Sequence, residues 1–187
     1  MSQLKVNSIV PVGGAPSGGG GGITQVLTNT TRDAQGSVSL TSDGTLYDIP
    51  NINVTITPSS SSNKIQIFFH IMAENSNDDA SVFYVVKRAI SGGGTTLLRG
   101  TSTNNRTAIL TQGTLVHYSS DTDSTPAFAQ CAGFLDSPNT SSAITYTVQV
   151  GNNEQNSTWY YNRTGNTANA ATREVGLSWI TVMEVSA

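Results

Sequence analysis

Residues 64–72 read K-I-Q-I-F-F-H-I-M, and the core that the sequence predicts begins in this stretch. Four alternate positions are apolar and share one face of a strand: Ile65, Ile67, Phe69 and Ile71. Phe68 and Met72 fall on the opposite face. A strand with one face in water alternates cleanly between apolar and polar residues. The pattern therefore predicts that the second face is also covered, by another layer of the domain or by a neighbouring chain.

Two further stretches extend this core. Residues 81–90 (S-V-F-Y-V-V-K-R-A-I) again carry apolar residues on both faces, whereas residues 143–150 (A-I-T-Y-T-V-Q-V) alternate cleanly. About ten strands follow one another at intervals of roughly ten to fifteen residues, and no window shows the apolar period of a helix. We therefore expect an all-β protein whose body, residues 23–187, is an antiparallel β-sandwich or jelly roll.

Two local signals refine this expectation. Ser42-Asp43-Gly44 is a turn signal of the Asp-Gly type, flanked by short strand-like pieces at 37–40 and 45–49. The last predicted strand, residues 174–185, places one set of apolar residues on one side: Val175, Leu177, Trp179, Met183 and Val185.

The overall composition excludes several classes of protein. Charged residues make up 11% of the chain and the net charge is −3, with scattered arginines and only three lysines. A nucleic-acid partner is not expected, because phosphate binding needs a basic stripe. No stretch approaches the roughly 18 apolar residues of a membrane span. A single cysteine, Cys131, cannot form an intrachain disulfide framework.

A glycine-rich run separates the body from a short N-terminal segment. Residues 12–22 read V-G-G-A-P-S-G-G-G-G-G, which predicts a flexible linker with a reach of roughly 18 Å. Residues 1–11 (S-Q-L-K-V-N-S-I-V-P after the initial Met) carry apolar residues close to every second position. Such a segment suits a strand added to the sheet of a partner or of a sister chain. A frayed terminus is the alternative.

Candidate catalytic groups are few and dispersed. His70 and His117 lie on or at the end of strands, and Cys131 lies among small residues, where an inert buried thiol is usual. Acidic residues cluster only at Asp78-Asp79 and at Asp121 with Asp123. These loops could hold calcium, but solvated loop polarity is the favoured interpretation. We expect no catalytic residues, no metal and no cofactor.

One aromatic cluster is a candidate binding site. Trp159, Tyr160 and Tyr161 are consecutive and precede N-R-T-G-N, which begins with Asn162 and Arg163. An exposed ring beside amide and guanidinium donors is typical of a sugar-binding surface, so these five residues are the candidate glycan-binding set. The favoured alternative places Trp159 and Tyr161 in the core and Tyr160 at an oligomer interface.

The order of three features carries a resemblance to a known family. The opening M-S-Q-L-K-V-N-S-I-V-P, the glycine-rich linker and V-T-I-T-P-S-S-S-S-N-K-I-Q-I at residues 54–67 resemble virion appendage proteins of tailed phages, especially those of marine cyanobacteria. The resemblance covers the N-terminal third, and the remainder is similar only in composition. It implies a tail-fibre or receptor-binding structural protein, attached to other virion proteins through its N-terminus: Leu4, Val6, Ile9 and Val10.

The resemblance also implies a homotrimer, a location in the virion and a role in host attachment, with host-surface polysaccharide as a partner. The chain is short and contains no repeat that could build a shaft. A short fibre or knob is therefore expected. The alternatives are a capsid or tail decoration protein without a receptor role, and a soluble carbohydrate-binding module.

Overall fold

A computed structural model describes residues 22–29, 33–76, 81–104, 106–113, 127–130, 133–153, 156–168, 171 and 173–187, with the backbone alone at 127–130. Within these ranges the chain forms strands and no helix: β1 (Ile23–Thr28), β2 (Gly36–Leu40), β3 (Tyr47–Ile56), β4 (Lys64–Asn75), β5 (Val82–Ile90), β6 (Thr95–Leu98), β7 (Thr111–Gln112), β8 (Ala127–Gln130), β9 (Phe134–Asp136), β10 (Ile144–Asn152), β11 (Ser157–Tyr161) and β12 (Trp179–Val185).

The strands form two antiparallel sheets that pack face to face. The front sheet has the order β1-β12-β4-β11-β2, with β8 and β9 also paired to β4. The back sheet has the order β3-β10-β5-β6, with β7 also paired to β5. This arrangement confirms the predicted all-β, antiparallel sandwich body.

β4 is paired along both of its edges. His70 pairs with Trp179 of β12 and with Gln130 of β8, and Ala73 pairs with both β11 and β8. A strand residue can pair with only one neighbour on each side. β12 and β11 therefore follow one another along one edge of β4, while β9 and β8 follow one another along the other edge.

Apolar side chains from both sheets fill the space between them. The inward residues predicted for β4 are at most 1% exposed, and those predicted for β10 are fully buried. Burying a side chain of this size stabilises the fold by about 1.5–3 kcal/mol. The largest fully buried side chains include Leu40, Ile49, Ile52, Ile56, Phe69, Tyr146, Trp159 and Ile180.

The second faces of β4 and β5 have different surroundings. On β5, Phe83 and Val85 are buried. Phe83 lies beside the segment 106–109, and Asp48 of β3 bonds to Lys87 and to Gln149, the register partner of Val85. Other parts of the same chain therefore cover this face of β5 around Phe83 and Val85. This agrees with the predicted alternative of cover from within the domain. On β4, by contrast, the outward Phe68, His70 and Met72 remain partly exposed, whereas Glu74 is buried.

The predicted turn at 42–44 is confirmed, but the strands that it joins do not pair. Gly44 has a φ of 70°, which glycine adopts at no steric cost, and the Thr45 N–H donates to Ser42 O at 3.2 Å. β2 belongs to the front sheet and β3 to the back sheet. The turn thus carries the chain from one layer to the other.

The last strand begins later than predicted. β12 starts at Trp179, whereas Val175 and Leu177 precede it and are 65% and 49% exposed. Gly176 lies against Met72, since a Cβ at this position would come within 1.5 Å of the Met72 sulfur. Trp179 and Met183 do share a face, as predicted, and it is the outer face. The inward residues of β12 are Ile180, Val182 and Glu184.

Glu184 is a fully buried carboxylate held by the loop that connects β3 to β4. Its Oε1 accepts hydrogen bonds from Ser59 N at 2.7 Å, Ser59 Oγ at 2.9 Å and Asn63 Nδ2 at 2.7 Å. Its Oε2 accepts one from Gln25 Nε2 at 2.6 Å. The T-P-S-S-S-S-N-K loop therefore acts as a cage that joins the β3–β4 connection to β1 and β12.

These contacts set the charge state of Glu184. Burial by itself raises the pKa of the carboxyl group, but the hydrogen bonds from Asn63, Gln25, Thr24 and Ser59 outweigh it and lower the pKa to about 2. Glu184 is thus ionised at neutral pH although it is buried.

We expect Glu184→Gln to lower the free energy of unfolding by about 2 kcal/mol at pH 7, because hydrogen bonds to a buried charge are lost. The folded pKa lies below the ordinary value of 4.5, so the contribution of Glu184 is present above pH 4.5 and is lost as the pH falls towards 2. The difference between wild type and variant should shrink in that window. Urea unfolding at a series of pH values measures it.

The matched control is Glu174→Gln, which changes an exposed glutamate and should leave stability within about 0.5 kcal/mol. Equal stability of wild type and Glu184→Gln at pH 7 would contradict the role assigned to the cage.

Candidate functional site

β11 carries the aromatic residues of the candidate glycan-binding set and presents them to opposite faces. Trp159 and Tyr161 point into the sandwich and are 1% and 5% exposed. Tyr160 lies between them on the outer face and is half-exposed. This alternation follows from the period of two residues in a strand. Only Tyr160 among the three rings is available to a ligand.

The two inward rings form an aromatic cluster in the core. Trp159 stacks on Tyr161 with ring centroids 5.8 Å apart and meets Tyr84 of β5 edge-on at 6.1 Å. Burial raises the pKa of Tyr84 and of Tyr161, so both hydroxyls stay protonated at neutral pH. The cluster connects the front and back sheets, and its role is packing.

Asn162 ends β11 in a conformation that few residues adopt. Its φ is 60°, in the left-handed region that asparagine tolerates better than most residues. Its N–H donates to Met72 O at 2.8 Å, and its Nδ2 donates to Ala34 O at 2.6 Å. The side chain is fully buried. Asn162 therefore positions the chain after β11.

Arg163 lies on the surface beside Tyr160. Its guanidinium carbon is 4.6 Å from the centroid of the Tyr160 ring, a cation–π contact. Its Nη1 donates to Thr164 O at 2.9 Å and to Gly165 O at 3.3 Å. The backbone of Arg163 forms an antiparallel bridge with Val175. These contacts hold the charged group in one place.

A groove of about 260 Å³ opens next to this guanidinium. The loop that forms it is anchored from below, because the Gly165 N–H donates to the buried carboxylate of Glu74. Polar side chains and apolar surface both line it: Gln35, Arg163, Thr164, Asn166, Thr167, Ala168, Arg173, Glu174 and Val175. We call this feature the Arg163 groove.

A second polar cluster, which the sequence did not predict, lies in the interior. Asp136 of β9 accepts hydrogen bonds from Arg88 Nη1 at 2.6 Å and from the Tyr146 hydroxyl at 2.7 Å. Burial and the neighbouring carboxylate raise the pKa of Tyr146. The shared Asp136 carboxylate joins the two sheets through these two hydrogen bonds. We therefore interpret the cluster as structural. Sequence spacing could not have revealed it, because each residue comes from a different strand.

The remaining sequence candidates do not assemble into a reactive site in the described part of the chain. His70 lies half-buried on the outer face of β4, where it stacks on Trp179 at 6.1 Å, and burial lowers its pKa. No three His, Cys, Asp or Glu side chains are placed to hold a metal ion within the described ranges. Several candidates lie outside them: Leu4, Val6, Ile9, Val10, Asp78, Asp79, His117, Asp121, Asp123 and Cys131.

Comparison with known proteins finds similar chains among solved structures. No protein-family model and no curated protein matches the sequence. Among solved structures, the chain is similar to a chain of the "Structure of infectious bursal disease virus Gt strain", with a TM-score of 0.49 and 11% identity. The similarity covers 97% of this chain and 46% of the viral chain, so this chain spans about half the length of that protein.

Over the described residues, no helix has the length and apolar character needed to cross a bilayer.

The burial of β11 predicts opposite effects for two neighbouring substitutions. Trp159→Ala should lower the free energy of unfolding by about 4 kcal/mol, because it leaves a cavity in the core. Tyr160→Ala should cost only about 1 kcal/mol, since it removes a half-exposed ring and one cation–π contact. Chemical unfolding monitored by circular dichroism measures both values. Equal costs for the two variants would contradict the assigned faces of β11.

Proposed function

We propose that this protein is a structural component of a phage virion, a short tail fibre or knob. It is anchored by residues 1–11 and assembled with copies of itself through the front sheet, and its body attaches to the host surface. The resemblance of the N-terminal third to phage appendage proteins supports the virion setting. The exposed apolar side chains on the outer face of the front sheet are the observation that supports self-assembly.

This outer face presents a group of large side chains that are exposed or half-exposed. Cross-strand partners share one face of a sheet, and the register pairs Val26 with Met183 and Trp179 with His70. Val26 is 52% exposed and Leu135 is 48% exposed. We call this group the outer patch: Val26, Phe68, His70, Met72, Leu135, Trp179 and Met183.

The outer patch carries no formal charge at neutral pH. Burial lowers the pKa of His70 from 6.5, so its ring is neutral at pH 7. The charged residues of β4 lie near its two ends, at Lys64 and Glu74. Two copies of such a face can meet without like-charge repulsion, whereas a highly charged partner would find no complementary charge. Gln66 and Thr181 lie among these residues on the same face, and a group of exposed apolar side chains rimmed by polar ones is typical of an interaction site.

β1 adds an unprotected strand edge beside the outer patch. Among the described strands, β1 pairs with β12 alone. Its sequence I-T-Q-V-L-T contains none of the lysines, prolines or charges that usually guard an edge strand. An apolar face next to a free edge suits a second copy of the chain in a closed, symmetric assembly. Three copies are expected from the resemblance.

The linker leaves the body at the same edge. Gly22, its last residue, accepts a hydrogen bond from Ser186 N at 3.1 Å, just before β1 begins. The N-terminal segments of neighbouring copies would therefore start close together. Several anchors on one assembly bind a particle more tightly than any of them alone, because each binding event raises the effective concentration for the next.

Tyr160 and Arg163 favour host adhesion as a second function of the same assembly. They present an aromatic and cationic surface beside a polar groove, and weak contacts of about −4 kcal/mol become useful when several bodies act together. A decoration protein would share the outer patch but would not bind glycans. A soluble carbohydrate-binding module would bind glycans as a monomer.

Met183→Glu should convert the assembled protein to monomers, since it places a charge in the centre of the outer patch. Native mass spectrometry of the full chain measures the stoichiometry, and a thermal melt verifies that the half-exposed site tolerates the change. Val26→Glu should act in the same way. Thr95→Glu, on exposed β6 of the back sheet, is the matched control and should leave the assembly intact. A monomeric wild type at working concentrations would refute the assignment of the outer patch.

Deleting residues 1–11 should abolish incorporation of the protein into particles while the melting temperature of the body stays within about 2 °C. The segment precedes a flexible linker, so its loss removes the anchor and leaves the sandwich intact. Purified particles analysed by quantitative mass spectrometry measure incorporation. A full-length chain with Leu4→Asp and Val6→Asp serves as the matched variant. Normal incorporation of the deleted form would show that the anchor lies elsewhere.

A further inference from the structure

We infer that the Arg163 groove binds an oxyanion, a carboxylate or a sulfate, on an acidic polysaccharide. This inference rests on the proposed adhesive function and names the class of glycan that the site selects. The sequence-based hypothesis placed a sugar ring on an exposed aromatic side chain. In the structure, however, the Arg163 guanidinium lies over the Tyr160 ring.

One face of the Tyr160 ring is covered by the protein itself. Among the three rings of β11, only this one is available at the surface, and the Arg163 guanidinium already lies over it at 4.6 Å. That ring face is therefore not open to the C–H groups of a neutral sugar. Tyr160 supports the cation, and the guanidinium is the group that a ligand meets.

Arg163 uses one of its three guanidinium nitrogens as a donor to the described part of the chain. A guanidinium has five N–H groups, and Nη1 is engaged by Thr164 O and Gly165 O. With the described residues, Nε and Nη2 form no hydrogen bond. These two nitrogens lie on one edge of the planar group, where they can donate in parallel to both oxygens of a carboxylate or to two oxygens of a sulfate.

The Arg163 side chain is held in place before a ligand binds, which lowers the entropy cost of binding. An arginine on an open surface loses rotamer freedom when it binds a ligand, at a cost that lowers affinity. Arg163 is already held by the ring of Tyr160 and by two carbonyl oxygens. Gly165, in turn, is bonded to the buried Glu74. The donor edge is thus positioned before a ligand arrives.

The charge and size of the groove agree with this ligand. Two arginines and one glutamate line it, Arg163, Arg173 and Glu174, which gives a local formal charge of +1 in a chain of net charge −3. Its 260 Å³ is below the roughly 300–1,000 Å³ of pockets that enclose a whole drug-sized ligand. It therefore fits one charged unit of a polymer, and the amides and hydroxyls of Gln35, Asn166 and Thr167 can bond to sugar hydroxyls.

Dextran sulfate and neutral dextran provide matched probes, and polygalacturonate adds a carboxylate polymer. The full-length protein should bind one or both acidic polymers and not dextran, as measured by biolayer interferometry on immobilised polymer. Binding should weaken strongly between about 20 mM and about 500 mM NaCl, because salt screens an exposed ion pair.

Four variants separate this site from general electrostatic attraction. Arg163→Gln should weaken binding at least about tenfold, and Arg163→Lys should weaken it several-fold, because lysine keeps the charge without the planar pair of donors. Tyr160→Ala removes the ring that holds the guanidinium in place and should weaken binding several-fold. Arg106→Gln removes an exposed arginine beside Phe83 of the back sheet and should change binding less than about twofold. Thermal melts confirm that each variant is folded.

Each contrary result has a separate meaning. Binding to dextran as strong as to dextran sulfate would overturn the inference about acidic glycans and leave the adhesive function standing. Acidic-polymer binding that survives Arg163→Gln would place the site elsewhere and overturn the inference. No binding to any polymer would refute this inference and the adhesive part of the proposed function, while self-assembly would be judged by its own test.

Discussion

Hydrogen bonding along both edges of β4 is the constraint on which the structure depends. Every strand needs partners for its backbone groups, and this strand finds four: β12 and β11 on one side, and β9 and β8 on the other. Its inward isoleucines and Phe69 supply the centre of the core. The same pairing fixes Phe68, His70 and Met72 on the outer face, so the strand that organises the interior also organises the proposed assembly surface.

The two sheets differ in how their outer faces are covered. Asp48 and the segment 106–109 cover the part of the back sheet around Phe83 and Val85 from within the chain. In the described part of the chain the front sheet has no equivalent layer over Val26 and Leu135, which stay about half exposed. The predicted linker ends at this same side, where Gly22 bonds to Ser186 and Gln25 bonds to Glu184. The proposed anchor and the proposed assembly surface therefore share one edge of the body, which the Glu184 cage reinforces.

β11 packs its inward side chains into the core and presents the proposed binding residue on its outer face. Trp159 and Tyr161 are buried in the core, and their stacking holds the strand in register. Tyr160 lies between these two buried rings on the same strand, so its backbone is held by the core. Asn162 then turns the chain so that Arg163 lies over the Tyr160 ring. A site supported by a core strand is better positioned than one on a loop alone. For this reason the candidate site consists of Tyr160, Arg163 and the groove, while the buried members of the predicted set support them.

The sequence by itself determined the fold class and the inward residues of β4 and β10, because alternation is a local property of the backbone that each stretch carries independently. It also located the aromatic residues of β11 and the turn at Gly44. Only the tertiary structure decided that this turn joins different sheets and that Glu184 is buried. It also decided that Phe83 and Val85 of β5 are buried on their outer face, whereas Phe68 and His70 of β4 stay partly exposed. The reason is distance along the chain: Glu184 is held by Ser59 and Asn63, 125 and 121 residues away. Contacts between such distant residues exist only once the sheets have assembled, so no local pattern records them.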